Sequence, residues 1–252
     1  MKLFYRFYTA SLLCVLAIAG CSSAGSTPSS TPAAAGVAQV RYVDGAPFLE
    51  TLINGVPTDI GAAYLQVNGQ SVASSFAYGT MTSFMPVSAG TQSLVARDTV
   101  GYAVGPLKSS ALSAGGRYTL AVVGSYPDYQ VLTFTEPSGS GAQLSLYEAS
   151  PTVPSIDFGS FKASTGSGFA KLGSAQLGTV STVALGKSVS DLGAYAGTGN
   201  TPIANGALTL AQINSFDTHN VLPFHNAGRA SLFLFDSKPG STKGPVFGSL
   251  DK

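Results

Sequence analysis

The two histidines are the residues whose type and spacing come closest to a catalytic or metal-binding pattern. His219 and His225 lie in the segment FDTHNVLPFH, and Asp217 stands two positions before His219. In an extended segment Asp217 and His219 would share one face, and His225 could fold back across Pro223 to form a trio of zinc ligands. The spacing differs from H-E-x-x-H, and the sequence names no fourth ligand. We interpret them as polar loop residues and predict neither a metal nor a cofactor. The alternative is an envelope hydrolase or metal-dependent enzyme with its site near His219.

Serine and glycine are abundant, but their spacing does not match a catalytic or phosphate-binding motif. No G-x-S-x-G nucleophile elbow occurs in the sequence. The glycines at 166–168 and 197–199 spell neither G-x-G-x-x-G nor a P-loop, and they lack the alternating β-α context. Because a catalytic site needs partners placed together, and not residue types alone, we predict that the protein is not an enzyme.

Two tyrosines in the segment SYPDYQ are the candidates for ligand binding. Tyr126 and Tyr129 flank Pro127-Asp128, and aromatic rings at the end of a strand can stack on a sugar. The chain has no tryptophan, which weakens that hypothesis. We favour a turn formed by Pro127-Asp128 with the tyrosines capping a sheet, and keep glycan binding as the alternative.

The N-terminus has the pattern of an export signal. Residues 1–7 carry Lys2 and Arg6, and residues 8–20 are almost entirely apolar or small. This apolar run is too short to cross ~30 Å of hydrocarbon as a helix but suits a signal peptide. It ends in Ile18-Ala19-Gly20-Cys21, which resembles the bacterial lipobox, whose cysteine thiol receives diacylglycerol. We therefore predict a signal peptide over 1–20 and a lipoprotein acylated (palmitate) on Cys21; the alternative is an ordinary signal peptide with a coincidental cysteine.

The segment after the cysteine is predicted to be a tether. Residues 22–36 contain only Ser, Ala, Gly, Thr and Pro, so they have nothing to bury and are expected to be disordered. Ser22 follows the cysteine, and by resemblance to enterobacterial sorting this favours the outer membrane. The lipidated tether thus spans 21–36, and the expected location is the bacterial cell envelope.

Composition excludes one class of partner. Charged residues make up 10% of the chain, against a usual ~25%. No concentrated basic face is available to replace counterions on phosphates, so we predict no nucleic-acid binding. Cys21 would be the only cysteine left after cleavage, which rules out a disulfide within the mature chain.

The rest of the chain is predicted to be all-β. Short segments rich in Val, Tyr, Thr and Phe alternate in hydrophobicity from Val37 onward, and Gly, Pro, Asn and Asp separate them. Asn68-Gly69 between YLQV and QSVASSF predicts a two-residue hairpin. The segment ALTLAQINS (207–215) fits either a short helix or a strand.

Self-comparison predicts an internal duplication. Three matches occur in order, namely residues 38–42 with 142–146, 90–96 with 178–184, and 116–120 with 228–232. The first match continues in each copy into an acid, two small residues and a proline, at 44–47 and 148–151. We predict two tandem immunoglobulin-like β-sandwich modules, 37–137 and a related module over 138–252.

The same segments resemble the family called domain of unknown function 4397. The first half carries the pattern in AQVRYVDGAP, YLQVNGQSV and GGRYTLAVVG, and the second half keeps its opening in AQLSLYEASPTVPSIDF. The resemblance covers most of residues 37–236, with FLETLINGVPTD (48–59) as an insertion. It implies an exported, often lipid-anchored, all-β protein and implies no activity. We expect a non-catalytic role in binding, adhesion or envelope structure, with the membrane, through the lipid anchor, and an envelope glycan or protein as partners.

Overall fold

All regular structure in the described part of the chain is β-strand, which confirms the all-β prediction. A computed structural model describes residues 36–139, 143–153, 155–162, 167–184, 192–196, 229–236, 238 and 246–251. The predicted signal peptide (1–20), the predicted tether (21–36) except its last residue, and the segment 207–215 lie outside these ranges. The strands are β1 (Val37–Asp44), β2 (Glu50–Ile53), β3 (Val56–Asp59), β4 (Ala63–Val67), β5 (Gln70–Phe76), β6 (Met85–Ser88), β7 (Gly90–Arg97), β8 (Ala103–Leu112), β9 (Arg117–Ser125), β10 (Asp128–Thr135), β11 (Gln143–Glu148), β12 (Ser155–Lys162), β13 (Ser167–Gln176), β14 (Val180–Ala184), β15 (Leu192–Ala196), β16 (Arg229–Leu234) and β17 (Val246–Asp251).

The first half, residues 36–139, contains two four-stranded sheets that share a core. One sheet has the order β10-β9-β1-β6 and the other β5-β4-β7-β8. Alternate residues of each sheet enter the first-half core, including Val40, Leu65 and Leu94. The predicted hairpin joins β4 to β5, and Asn68 and Gly69 have φ of 49° and 81°. Both residue types tolerate the left-handed conformation that this tight turn requires.

The described part of the second half contains one four-stranded and one three-stranded sheet. Its sheets have the orders β14-β11-β16-β17 and β13-β12-β15. In the first half β1 runs parallel to β9 with Gln39 opposite Arg117; in the second half β11 runs parallel to β16 with Gln143 opposite Arg229. The described residues of the matches at 38/142 and 116/228 thus lie in strand pairs that keep the same register, from Gln39 opposite Arg117 and from Gln143 opposite Arg229.

The third match, 90–96 with 178–184, is wrong. β14 pairs with β11 as β6 pairs with β1, whereas β7 lies in the other sheet beside β4. The true counterpart of Gly178-Thr179 is Gly79-Thr80. In both turns the threonine hydroxyl accepts a backbone N–H three residues earlier, at 3.0 Å from Ala77 and 2.9 Å from Gln176. Glycine, threonine and alternating apolar residues recur throughout the chain, so a short string of them does not distinguish one strand from another.

The predicted insertion forms a separate hairpin. Residues 48–59 include β2 and β3, which pair only with each other through the Asn54-Gly55 turn. In the second half, no strand among the described residues lies between β11 and β12. In the first half, residues 48–62 connect Pro47 to Ala63 at the start of β4. In the second half, the connection from Pro151 to Ile156 on β12 is much shorter, at residues 152–155. The hairpin therefore belongs to the first half alone.

The two halves bury a core between them, which we call the central core. The first half contributes small side chains at the positions where the second half contributes large ones. Val43, Ala121 and Val123 occupy the positions equivalent to Tyr147, Phe233 and Phe235, and all six are buried together. The rings of Tyr147 and Phe233 stack with centroids 4.2 Å apart. This pairing of small with large side chains allows the two sheets to pack closely, as protein interiors generally do.

Burial on both faces explains the composition of the central strands. Residues 118–123 of β9 are all buried, because alternate side chains face the first-half core and the central core. A strand covered on both sides is expected to be a nearly continuous apolar run, as residues 120–123 (LAVV) of β9 are. The edge hairpin β2–β3, by contrast, exposes Leu52 and Val56.

Candidate functional site

Arg41 is a buried charge on β1 that contacts residues of the second half. Its Nε donates to Thr119 Oγ1 at 2.6 Å, and its Nη2 donates to Ser231 Oγ at 2.9 Å and to the Tyr147 hydroxyl at 3.3 Å. Nη2 also forms an ion pair with Glu136 at 3.2 Å. Burial, with the nearby carboxylate of Glu136, raises the pKa of Tyr147. Every group here is engaged by another, so the cluster joins the two halves and leaves little room for a ligand.

A second buried charge site lies at the end of β1. The side chain of Asp44 is fully buried, and its Oδ1 accepts the backbone N–H of Ala46 at 3.0 Å. Its Oδ2 has no hydrogen-bond partner among the described residues. The pKa of Asp44 is raised to about 7, mainly by burial. The Ala46 N–H and the charge of Lys238 act to lower this pKa, and the charge of Asp59 acts to raise it. Asp44 thus carries one oxygen that is buried and free to accept a donor.

The duplication places an equivalent acid in the second half. Glu148 is fully buried at the end of β11, and its Oε1 accepts the backbone N–H of Ser150 at 2.8 Å. Its Oε2 has no hydrogen-bond partner among the described residues. Burial raises the pKa of Glu148 to about 8, opposed by the Ser150 N–H and reinforced by Asp236. The self-comparison had matched these two acids, but nothing in their local sequence indicated that both are buried.

A cavity of about 130 Å³ opens beside Asp44, and we call it the Asp44 cavity. Its walls include the rings of Phe48 and Tyr78, the carboxylate of Asp59 and the ammonium of Lys238. The Lys238 Nζ lies 5.3 Å from the centroid of the Phe48 ring and 5.2 Å from that of Tyr78. The chain thus brings a buried carboxyl, an exposed carboxylate, two aromatic faces and a cation to one place.

The surroundings of Glu148 differ. Asp236 Oδ1 accepts the hydroxyl of Thr152 at 2.5 Å and its N–H at 3.3 Å, and it also accepts the hydroxyl of Ser150. The polar groups of Ser150, Thr152 and Asp236 therefore form hydrogen bonds with one another. Asp236 also links the halves, because its carbonyl accepts the Tyr78 hydroxyl at 2.6 Å.

The predicted binding tyrosines lie near this region but have different environments. The Tyr129 hydroxyl donates to the Phe48 carbonyl at 2.9 Å and accepts the Glu50 N–H at 2.7 Å. Burial raises the pKa of Tyr129 to about 12. Tyr126 is half-buried in the turn between β9 and β10. Tyr129 thus fixes the inserted hairpin that carries Phe48; glycan binding by either ring stays a prediction.

The other predicted site residues, Cys21, Asp217, His219 and His225, lie outside the described residues. Within the described ranges no group of three His, Cys, Asp or Glu side chains could hold a metal ion. The same ranges contain no helix that is long and apolar enough to cross a membrane.

Comparison with known proteins supports the family resemblance. No curated protein matches the chain in sequence. The family match begins with β2 and ends within β12, so it includes the inserted hairpin, Tyr78, Tyr129 and the acid turn at Glu148. The predicted resemblance is thereby confirmed: residues 50–159 match the model of the family described as Domain of unknown function (DUF4397).

Proposed function

We propose that the protein is a lipid-anchored binding protein of the bacterial cell envelope, in a non-catalytic role that includes adhesion or envelope structure. The observation that carries the proposal is the Asp44 cavity. It is concave, aromatic on two sides, and has a buried acceptor to which no described residue donates. Ligand sites commonly combine apolar walls with a few fixed polar groups of this kind.

The groups around the cavity suit binding. Asp44 is oriented by the Ala46 N–H, and Phe48 is held by the bond from Tyr129 to its carbonyl. Both are therefore positioned before a ligand arrives, and a site fixed in advance loses less entropy on binding. The junction at Arg41 adds rigidity, because it connects β1, β9, β11 and β16 through hydrogen bonds and an ion pair.

We also propose that each half is an immunoglobulin-like β-sandwich module and that the two are tandem copies. The shared register of β1–β9 and β11–β16 supports the duplication. The common core of two four-stranded sheets in the first half supports the sandwich. The equivalent turns at Thr80 and Thr179 add a third point of agreement.

The export leader supports the location. A thioether-linked lipid with further acyl chains on Cys21 would anchor the chain durably, where a single chain binds weakly. The tether of residues 22–36, when extended at ~3.3 Å per residue, would reach ~50 Å and hold the body clear of the lipid headgroups. We propose the outer membrane as the site of anchoring.

Membrane fractionation of cells that express the full chain tests this proposal. The wild-type protein should sediment with the envelope and carry an acylated N-terminal cysteine by mass spectrometry. Cys21→Ala should yield an unprocessed precursor or a soluble protein, and Cys14→Ala serves as the matched control that keeps the anchor. An unmodified mature N-terminus at a residue other than Cys21 would refute the anchor. Crosslinking in the intact envelope then tests binding, and a chain that captures no partner or glycan under saturating crosslinker would refute the binding role.

A further inference from the structure

We propose that the Asp44 cavity recognises a primary alkylammonium group, and that Lys238 places its own ammonium against the aromatic pair of the cavity when no ligand is bound. The inference rests on the proposed binding function and names the chemistry of its ligand. It depends on three features of the cavity, namely a buried acceptor, an aromatic pair, and a cation of the chain itself at that pair.

The buried acceptor calls for a donor. Asp44 Oδ2 is shielded from solvent and has no partner among the described residues, although Oδ1 is satisfied by the Ala46 N–H. A buried oxygen without a donor is unfavourable, and the loss is recovered when a donor binds. An ammonium group supplies three N–H donors and a charge that complements the carboxylate.

The aromatic pair calls for a cation. Phe48 and Tyr78 both face the Lys238 Nζ at distances within the ~6 Å range of cation–π attraction. Asp59 adds a second carboxylate on the wall of the cavity. Because the chain already places its own ammonium against these rings, Lys238 displays the chemistry that the cavity attracts.

Size and hydrogen bonding narrow the class of cation. A cavity of about 150 Å³ is sufficient for benzene, so about 130 Å³ admits an ammonium with a short alkyl chain. A quaternary ammonium would satisfy the rings but has no N–H for Asp44 Oδ2. The fitting ligand is therefore a primary alkylammonium, and it could be the side chain of a lysine in a protein or peptide, or a free amine.

The second half supplies a matched control. Glu148 sits in the equivalent acid turn, and it too has a buried oxygen that has no partner in the described part of the chain. Its neighbours Ser150 and Thr152 donate to Asp236 instead of facing two rings and a cation. Glu148→Gln should therefore leave ammonium binding unchanged, whereas Asp44→Asn should abolish it.

The test is a titration of the full mature chain with n-butylammonium chloride at pH 8.5, followed by NMR and calorimetry. This pH lies above the pKa of Asp44, at about 7, and below that of an alkylamine. Lys238→Met removes the internal competitor with little change of shape. We expect saturable binding to this variant, about tenfold tighter than to the wild type. 1-Butanol and tetramethylammonium should bind at least tenfold more weakly than n-butylammonium.

Three outcomes would overturn the proposal: no saturable binding to Lys238→Met, equal binding of 1-butanol, or unchanged affinity after Asp44→Asn is added to Lys238→Met. If that double variant does not fold, Phe48→Leu with Lys238→Met replaces it and should weaken binding at least fivefold. Nα-acetyl-lysine amide represents a lysine side chain, and putrescine represents a free amine. Whichever of the two binds more tightly identifies the source. If ammonium binding is not observed, the proposed function is still tested separately, by membrane fractionation and by envelope crosslinking.

Discussion

The folded body should lose stability as the pH rises from 5 to 9, because burial holds Asp44 and Glu148 in their protonated forms. Burial raises the pKa of Asp44 from 3.8 to about 7 and that of Glu148 from 4.5 to about 8. Between the unfolded and folded pKa values the native state binds more protons than the unfolded chain. Stability contributed by these groups is therefore full below about pH 4, falls progressively as the pH rises, and is lost once the pH exceeds the folded pKa values of about 7 and 8.

The magnitude follows from the size of the changes. Each pKa unit corresponds to about 1.4 kcal/mol, so full ionisation of Asp44 would lower the free energy of unfolding by at most ~4 kcal/mol, and that of Glu148 by ~5 kcal/mol. Water entering beside the carboxylates would reduce both figures. In a domain of this size 1 kcal/mol changes Tm by about 2–4 °C, so either acid should lower Tm by on the order of 10 °C. The facing charges differ: Asp59 and Lys238 act on Asp44, and Asp236 acts on Glu148.

Thermal melts in steps of half a pH unit would measure this dependence. The slope is compared between the wild type and variants that keep both His219 and His225, because an unperturbed histidine also changes charge in this pH range. Asp44→Asn and Glu148→Gln should each flatten the decline of Tm above pH 6, and the double variant should remove most of it. A wild-type Tm that is constant from pH 5.5 to 8.5, or a slope that the double variant leaves unchanged, would refute the reasoning.

Three further perturbations test the packing and the absence of a metal. Gly45→Ala should destabilise the fold by about 1–3 kcal/mol in denaturant melts, because its Cβ would lie 1.9 Å from a carbon of the Phe235 ring, and Phe235→Val should recover part of that loss. Arg41→Met should cost about 3–5 kcal/mol, because it leaves a buried carboxylate without its cation; a loss below 1 kcal/mol would contradict this. His219→Gln with His225→Gln should leave folding and envelope crosslinking intact, and EDTA should not lower Tm; stoichiometric metal by elemental analysis would contradict it.

The parts of the fold that sequence predicted are those determined by local chemistry. Asn68-Gly69 predicted the β4–β5 hairpin because those residues favour the left-handed backbone of a two-residue turn. The repeated acid, small pair and proline identified the ends of β1 and β11, where the same carboxyl-to-backbone bond forms at Ala46 and Ser150. Segments rich in Val, Tyr and Thr that alternate in hydrophobicity predicted strands, because a half-buried strand has a period of two residues.

The parts that sequence missed depend on distant residues. Lys238 reaches the rings of Phe48 and Tyr78 only because β16 lies beside β11 and the second half packs on the first. Arg41 lies within β1, and nothing near it in sequence indicates that Thr119, Glu136, Tyr147 and Ser231 would surround it. A pattern with period two locates a strand but does not identify its neighbours.

The central core also explains why two similar sheets carry side chains of different size where they face each other. If both halves had kept identical side chains, six large or six small residues would have met, and either case leaves strain or voids. Small side chains on β1 and β9 against large ones on β11 and β16 avoid both. Because the two halves pack together, the Tyr78 hydroxyl reaches the Asp236 carbonyl. This contact places the Tyr78 ring beside the Lys238 ammonium. The Asp44 cavity therefore needs both halves: the first supplies the acid and the aromatic walls, and the second supplies the cation.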